Sequence, residues 1–337
     1  MPHAAESTSQ ATPVDAAQRR VLVLGANGRL GRAAVEAFAA AGWQVLAQAR
    51  QAPREALPAN ACALQADALD VPSIVQAARG VAVIVHALNP DYARWDALLP
   101  PLTDAVLKIA EATGATLMLP GNVYNFGSQL PPVLSETTPF VGDHAKARQR
   151  ITLEGRMQAS AVRSIVIRAG DYLGGSGTWF DLAMTKGLAK GRLTHMGATD
   201  LTHAWAYLPD LAQVFVRVAE RVLEQPAALP AHSTLHYAGL TLTGAQLQAA
   251  IETAWGQPLR AARFPWWSLK LLALVMPMMR ALLTMRYLWQ RPHQLDDSKL
   301  RALIGRVPQT PATEVMRRCL ATLPAQNRNS NRKVVVV

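Results

Sequence analysis

The sequence predicts an α/β fold: a doubly wound parallel sheet with a smaller, mainly helical C-terminal lobe. Three observations predict it. The apolar run Val21-Leu22-Val23-Leu24 leads directly into Gly25-x-x-Gly28-x-x-Gly31 and then into an Ala-rich helical pattern. Strand-like and helix-like segments alternate from there to about residue 167, as in a parallel sheet covered on both faces. Beyond that point the alternation becomes less regular, in a chain of 337 residues that is long enough for two lobes.

The first unit is Rossmann-like. Gly25 permits a tight turn out of the strand, Gly28 lets backbone approach a pyrophosphate, and Gly31 lets the helix pack closely on the strand. The helix start offers free N–H groups and a partial positive charge to phosphates. Leu30, Ala34, Phe38 and Ala41 mark the helix, with Gly42 as its stop. Strands are expected at 45–47 and 61–64, a short helix at 71–78, and a continuous buried strand at 81–85. A helix follows at 95–112, then a strand at 116–119. Asp143 is the expected N-cap of a helix over 143–160, and 165–167 is the next strand. Gly174 to Gly177 read as a loop and 179–190 as a helix. Asp210 opens a helix to about 224, a strand lies near His236, and 244–255 is helical.

These elements divide the chain into a disordered leader over 1–20, a dinucleotide-binding Rossmann domain over 21–172 and about 201–240, a substrate lobe over about 173–200 and 241–325, and a loose tail over 326–337. The leader is rich in Ala, Gln, Ser, Thr and Pro and lacks the apolar core of a signal peptide.

Two distant cysteines, Cys62 and Cys319, suit a reducing, cytoplasmic setting. No spacing of His and Cys indicates a metal site. Residues 1–255 carry 20 Lys/Arg and 20 Asp/Glu, so the net charge of +11 resides entirely in residues 256–337. No nucleic-acid motif accompanies these cations. They suit an anionic or amphiphilic small-molecule substrate or a lipid surface. The stretch bounded by Trp266 and Met285 is apolar but interrupted by Lys270, Pro277 and Arg280, and it falls short of the ~20 residues of a membrane span. Two short helices split at Pro277 are expected. Three roles stay open for them: part of the substrate lobe, a peripheral membrane contact, or a homodimer face.

At the end of the second strand an acidic residue would hydrogen-bond the ribose hydroxyls of NAD. Here Arg50 stands after Gln48-Ala49, and Arg29 lies inside the glycine turn with Asn27 and Leu30. Two arginines suit a 2′-phosphate, so NADP is the expected cofactor and NAD the alternative. Asp67 is placed to accept from the adenine amino group; alternatively, it and Asp70 cap the next helix.

These residues resemble the extended and atypical short-chain dehydrogenase/reductases, the NAD-dependent epimerase/dehydratase-like group. The resemblance covers roughly 21–325. Gly25, Gly28 and Gly31 match its cofactor loop, and Asp67-Ala68-Leu69-Asp70 its adenine-side acidic motif. Val85-His86-Ala87-Leu88-Asn89 falls where the fourth strand passes the cofactor, which implies roles for His86 and Ala87. Gly121-Asn122-Val123-Tyr124-Asn125-Phe126-Gly127 is similar to the Ser-Ser-x-x-Val-Tyr-Gly stretch. Ile167 to Gly174 and Ala204 to Ala212 resemble segments that begin the substrate lobe and open a helix.

The catalytic pattern departs from that family. Pro120 stands where its Ser or Thr would be, and Gly142 stands four residues before Lys146, in the place of its Tyr. The family's proton relay therefore does not carry over. Lys146 remains as ribose-holding group or acid/base. Tyr124 and Asn122 are further candidates, each with a structural alternative: a packing ring and a turn cap. Two readings follow: an NADP(H)-dependent oxidoreductase acting on a carbonyl, enone or sugar-like substrate, with an epimerase as a variant, or a dinucleotide sensor without turnover.

Overall fold

The structure, a computed structural model, describes residues 19–323, leaving aside the side chains of residues 277 and 278. The expected leader lies outside these residues except for 19 and 20, and so does the expected tail. In chain order the strands are β1 (Arg20–Leu24), β2 (Gln44–Ala49), β3 (Ala61–Gln65), β4 (Val83–His86), β5 (Thr116–Gly121), β6 (Val133–Leu134), β7 (Ser164–Arg168), β8 (Asp171–Leu173), β9 (Arg192–His195), β10 (Thr202–Tyr207), β11 (His232–His236), β12 (Leu240–Thr243), β13 (Arg260–Arg263) and β14 (Gln294–Leu295). The helices are α1 (Arg29–Ala40), α2 (Val71–Ala77), α3 (Trp95–Thr113), α4 (Ala145–Ala159), α5 (Leu208–Glu224), α6 (Gly244–Trp255), α7 (Trp266–Leu272), α8 (Pro277–Thr284), α9 (Ser298–Ile304) and α10 (Ala312–Ala321).

Seven parallel strands form the central sheet in the order β3-β2-β1-β4-β5-β7-β11. The chain winds outward from β1 in one direction and from β4 in the other, which is the doubly wound Rossmann arrangement. The period of two along β1 divides its residues between faces. Val21 and Val23 join Phe38 of α1 and Phe215 of α5 in one core. Leu22 and Leu24 join Ile74, Ile109 and Leu153 from α2, α3 and α4 in the other. A third core, built on Trp205, Ile251, Trp266 and Val315, holds the smaller lobe together.

Three local expectations need correction. Asp143 does not cap α4; His144 does, its Nδ1 accepting from the Ala147 amide at 3.2 Å, while Asp143 accepts from the Ser128 amide at 2.8 Å. The stretch 179–190 is not one helix. A π-turn over Phe180–Met184 ends where both the amide and the hydroxyl of Thr185 bond to Phe180 O, and a 3₁₀ turn follows at Leu188–Lys190. α5 begins at Leu208 rather than Asp210, and the Asp210 carboxylate instead accepts from the amide and hydroxyl of Thr310 at 2.6 and 2.8 Å. That bond accompanies the packing of Leu300 and Val307 into the α1/α5 core, so the segment around α9 sits on the central sheet.

Candidate functional site

A cavity of about 1710 Å³ opens at the C-terminal ends of β1, β2, β4 and β5. Pockets for drug-sized ligands hold roughly 300–1,000 Å³, so this one has room for a dinucleotide and a second molecule. One end is the glycine turn. Gly25 has φ +85°, and a Cβ there would meet the Ala87 carbonyl at 3.0 Å. A Cβ on Gly31 would sit 2.1 Å from Gly25 O, so α1 can approach β1 this closely only without a side chain. Gln48 fixes the turn: its backbone carbonyl and its Oε1 both accept from the Gly25 amide, at 3.1 and 3.0 Å, while its Nε2 donates to Ala66 O at 2.7 Å.

Gly25, Asn27, Gly28, Arg29, Leu30, Arg50, Asp67, Ala68, His86 and Ala87 all line the cavity. Gly31 lies behind the turn as a packing position. Asn27 Nδ2 donates to the Gln51 and Ala52 carbonyls at 3.2 and 3.1 Å. Arg29 Nη1 donates to the Ser176 and Gly177 carbonyls, tethering the 174–177 loop over the turn. Asp67 accepts from the Leu69 amide at 2.9 Å, and Asp70 caps α2 through the Ser73 amide. The capping alternative thus holds for Asp70 and not for Asp67, whose carboxylate closes a turn before α2 and lines the cavity. Arg50 and Arg54 line the same end and form no ion pair among the described residues.

The opposite end carries the titratable groups. Tyr124 sits on a 3₁₀ turn at Val123–Phe126, directly after β5, and Asn122 Oδ1 caps that turn through the Tyr124 amide at 3.0 Å. The Tyr92 hydroxyl donates to the Tyr124 hydroxyl. Burial raises both phenols well above their ordinary value, with the other phenol adding to the rise at Tyr92 and the Asp171 charge adding at Tyr124. Arg150 of α4 donates from Nη2 to Pro120 O at 2.6 Å, near enough for its charge to lower the pKa of both phenols. Its Nε is buried without a partner among the described residues. Asp171, at the start of β8, lines the cavity and pairs with His203 at 2.9 Å. His86 closes the floor at the end of β4; among the described residues neither ring nitrogen has a partner, and burial, with the Arg150 charge, lowers its pKa to about 3.

Lys146 is placed differently from the expectation. It is not among the residues lining the cavity. Its Nζ donates to Tyr92 O at 2.5 Å and lies 4.7 Å from the Trp95 ring centroid and 5.2 Å from that of Tyr92. A backbone carbonyl and two ring faces satisfy the ammonium there, and burial lowers its pKa. The structure therefore makes Lys146 a support for the Tyr92 segment. The cation that α4 gives to the cavity is Arg150, one helical turn later. Helical spacing from Lys146 could have found Arg150. Gln48, a polar residue inside an apolar strand, was also detectable. Tyr92 and the Asp171–His203 pair carried no local signal.

The glycine cradle that a Cβ would fill, the unpartnered first-turn amides of α1 and the unpaired nitrogens of His86 fit a dinucleotide. Sheet order and glycine turn together define a Rossmann-type nucleotide-binding fold. Residues 25–174 match the NAD(P)H-binding family model. Solved structures share its fold over nearly their full length. UDP-glucose-4-epimerase from Stenotrophomonas maltophila, with bound NAD and formylated UDP-arabinopyranose, aligns with TM-score 0.70 and 14% identity, covering 92% of this chain and 98% of that one. L-threonine dehydrogenase from Phytophthora infestans aligns with TM-score 0.70 and 16% identity over 90% and 98%. The Bordetella bronchiseptica enzyme WbmH, in complex with NAD+, gives 0.68 and 15% over 90% and 97%. No curated protein matches the sequence. Among the described residues no helix is long and apolar enough to cross a membrane, and no group of side chains could hold a metal ion.

Proposed function

We propose that the chain binds NADP(H) and reduces or oxidises a small carbonyl or enone substrate, using a phenol pair in place of the family's Ser and Tyr. The observation that carries this reading is the Tyr92–Tyr124 hydrogen bond, which lies in the same cavity as the glycine turn. Gly25, Gly28 and the start of α1 would hold the pyrophosphate, and Arg50 with Arg54 would meet a 2′-phosphate. The nicotinamide supplies or accepts the hydride.

The protein's part is the proton. Because Tyr92 donates to Tyr124, the Tyr124 proton is the one left for a substrate oxygen. Burial, reinforced by Asp171, keeps that phenol protonated through neutral pH. Arg150 lowers the pKa of both phenols, so its charge stabilises the phenolate once the proton has moved. Lys146 positions Tyr92 from behind. The cofactor domain comprises 21–172 and about 201–240, onto which the segment around α9 packs, with the rest of the lobe closing the substrate end.

The test is NADPH oxidation against a carbonyl and enone panel. Tyr124→Phe is expected to lower kcat by about 10²–10⁴-fold with NADPH affinity unchanged. Full activity in Tyr124→Phe would reject the phenol as proton donor. A second reading, a dinucleotide sensor, is favoured by Pro120 and Gly142 at the two hydroxyl positions; it predicts NADPH binding with no turnover on any substrate.

A further inference from the structure

Helices α7 and α8 form a hairpin whose two sides meet different surroundings. On the inner side Leu269, Met279, Leu282 and Met285 form the apolar wall of the cavity. On the outer side Trp267, Leu271, Leu274 and Val275 are 67%, 60%, 76% and 78% exposed. Single exposed apolar residues need no explanation, but a cluster at one tip marks an interaction surface.

Charge selects the partner. From residue 253 to residue 295 the chain has six cations, Arg260, Arg263, Lys270, Arg280, Arg286 and Arg291, and neither Asp nor Glu. Among the described residues none of the six is paired with a carboxylate. A second copy docked tip to tip would bring these cations against their like. An anionic bilayer supplies both an apolar phase for the four exposed side chains and counter-charge for Lys270 and Arg280 on the same two helices. The two helices, of 7 and 8 residues, are far too short to span and suit the interface plane.

We propose that the α7–α8 tip inserts into the surface of an anionic bilayer, and that the cavity takes an amphiphilic substrate from the lipid, its apolar tail along the hairpin's inner side and its carbonyl toward Tyr124. The docking half stands on the exposed tip alone; the substrate half rests on the reaction proposed above.

The full chain is sedimented with phosphatidylcholine vesicles, with and without phosphatidylglycerol. Binding to the anionic vesicles only is expected. It should weaken about fivefold in Lys270→Gln and be lost in a Leu274→Asp/Val275→Asp double variant whose NADPH binding is intact. NADPH oxidation should be faster with a long-chain enone in vesicles than with its short-chain analogue. Wild-type protein left in the supernatant, or a double variant that sediments like wild type, overturns the docking. So does a dimer that the double variant converts to monomer, which would assign the tip to a second copy. Vesicle binding without any long-chain advantage overturns the substrate half. Failure to bind NADPH at all rejects the proposed function and leaves the vesicle result standing.

Discussion

Mild acid should destabilise this protein steeply, and three buried histidines set the size of the effect. His86, His236 and His293 are buried, and burial lowers their pKa values from 6.5 to about 3, about 4 and about 3; the charges of Arg150, Arg168 and His203 add to the respective shifts. The folded state therefore keeps all three neutral at pH 5, whereas the unfolded chain protonates them below about 6.5. The unfolded state binds more protons, so stability is complete above that pH and is lost as pH falls toward 4 and 3. Between pH 7.5 and 5 each histidine removes about 2 kcal/mol, nearly all of it below about pH 6.5 at ~1.4 kcal/mol per pH unit. Together they remove about 6 kcal/mol, comparable to the ~5–15 kcal/mol that stabilises a typical domain. Urea unfolding followed by fluorescence of the eight tryptophans at pH 7.5 and 5 measures the loss. His293→Gln should make that pH-dependent loss smaller by about 2 kcal/mol. A stability that changes by less than about 1 kcal/mol across this range, or an unchanged loss in His293→Gln, would refute the reasoning.

Other consequences are equally direct. Gly31→Ala places a carbon 2.1 Å from Gly25 O; thermal unfolding should show a loss of about 3 kcal/mol, and NADPH titration a weaker site. Glu154→Ala strands the buried Arg168 guanidinium, which it meets at 2.7 Å, and should cost about 3–5 kcal/mol in urea unfolding. Arg50→Glu with Arg54→Glu should weaken NADPH binding by about thirtyfold, at ~1 kcal/mol per exposed contact, while NADH binding holds; equal losses for both cofactors would place the 2′-phosphate elsewhere.

The central sheet was legible because its strands are buried on both faces and so read as unbroken apolar runs, as in Val21 to Leu24 and 81–85. α6 matched its expected bounds of 244–255 because its end signals are local: a capping box at Thr243 and Gln246 and a left-handed Gly256. The 179–190 segment was misread because a hydroxyl-to-carbonyl bond at Thr185 competes with the helix ladder, and composition does not report which wins. At the candidate site, the glycine turn was legible for the same local reasons as α6. The direction of Lys146 was not. It is decided by Tyr92 and Trp95, more than fifty positions away in the chain, whose rings and carbonyl reach the ammonium. Tyr92 itself enters the cavity from a 3₁₀ turn at Tyr92–Arg94 that runs directly into α3.

The double hold of Gln48 on the Gly25 amide has a consequence for binding kinetics and entropy. The turn already stands in its left-handed geometry, fixed from β2 and, through Ala66, from the end of β3. A phosphate arriving there has no backbone to order, so association at this end loses little conformational freedom. Discrimination among ligands then falls to the opposite end, where side chains from five separate segments must settle around whatever the cofactor carries in.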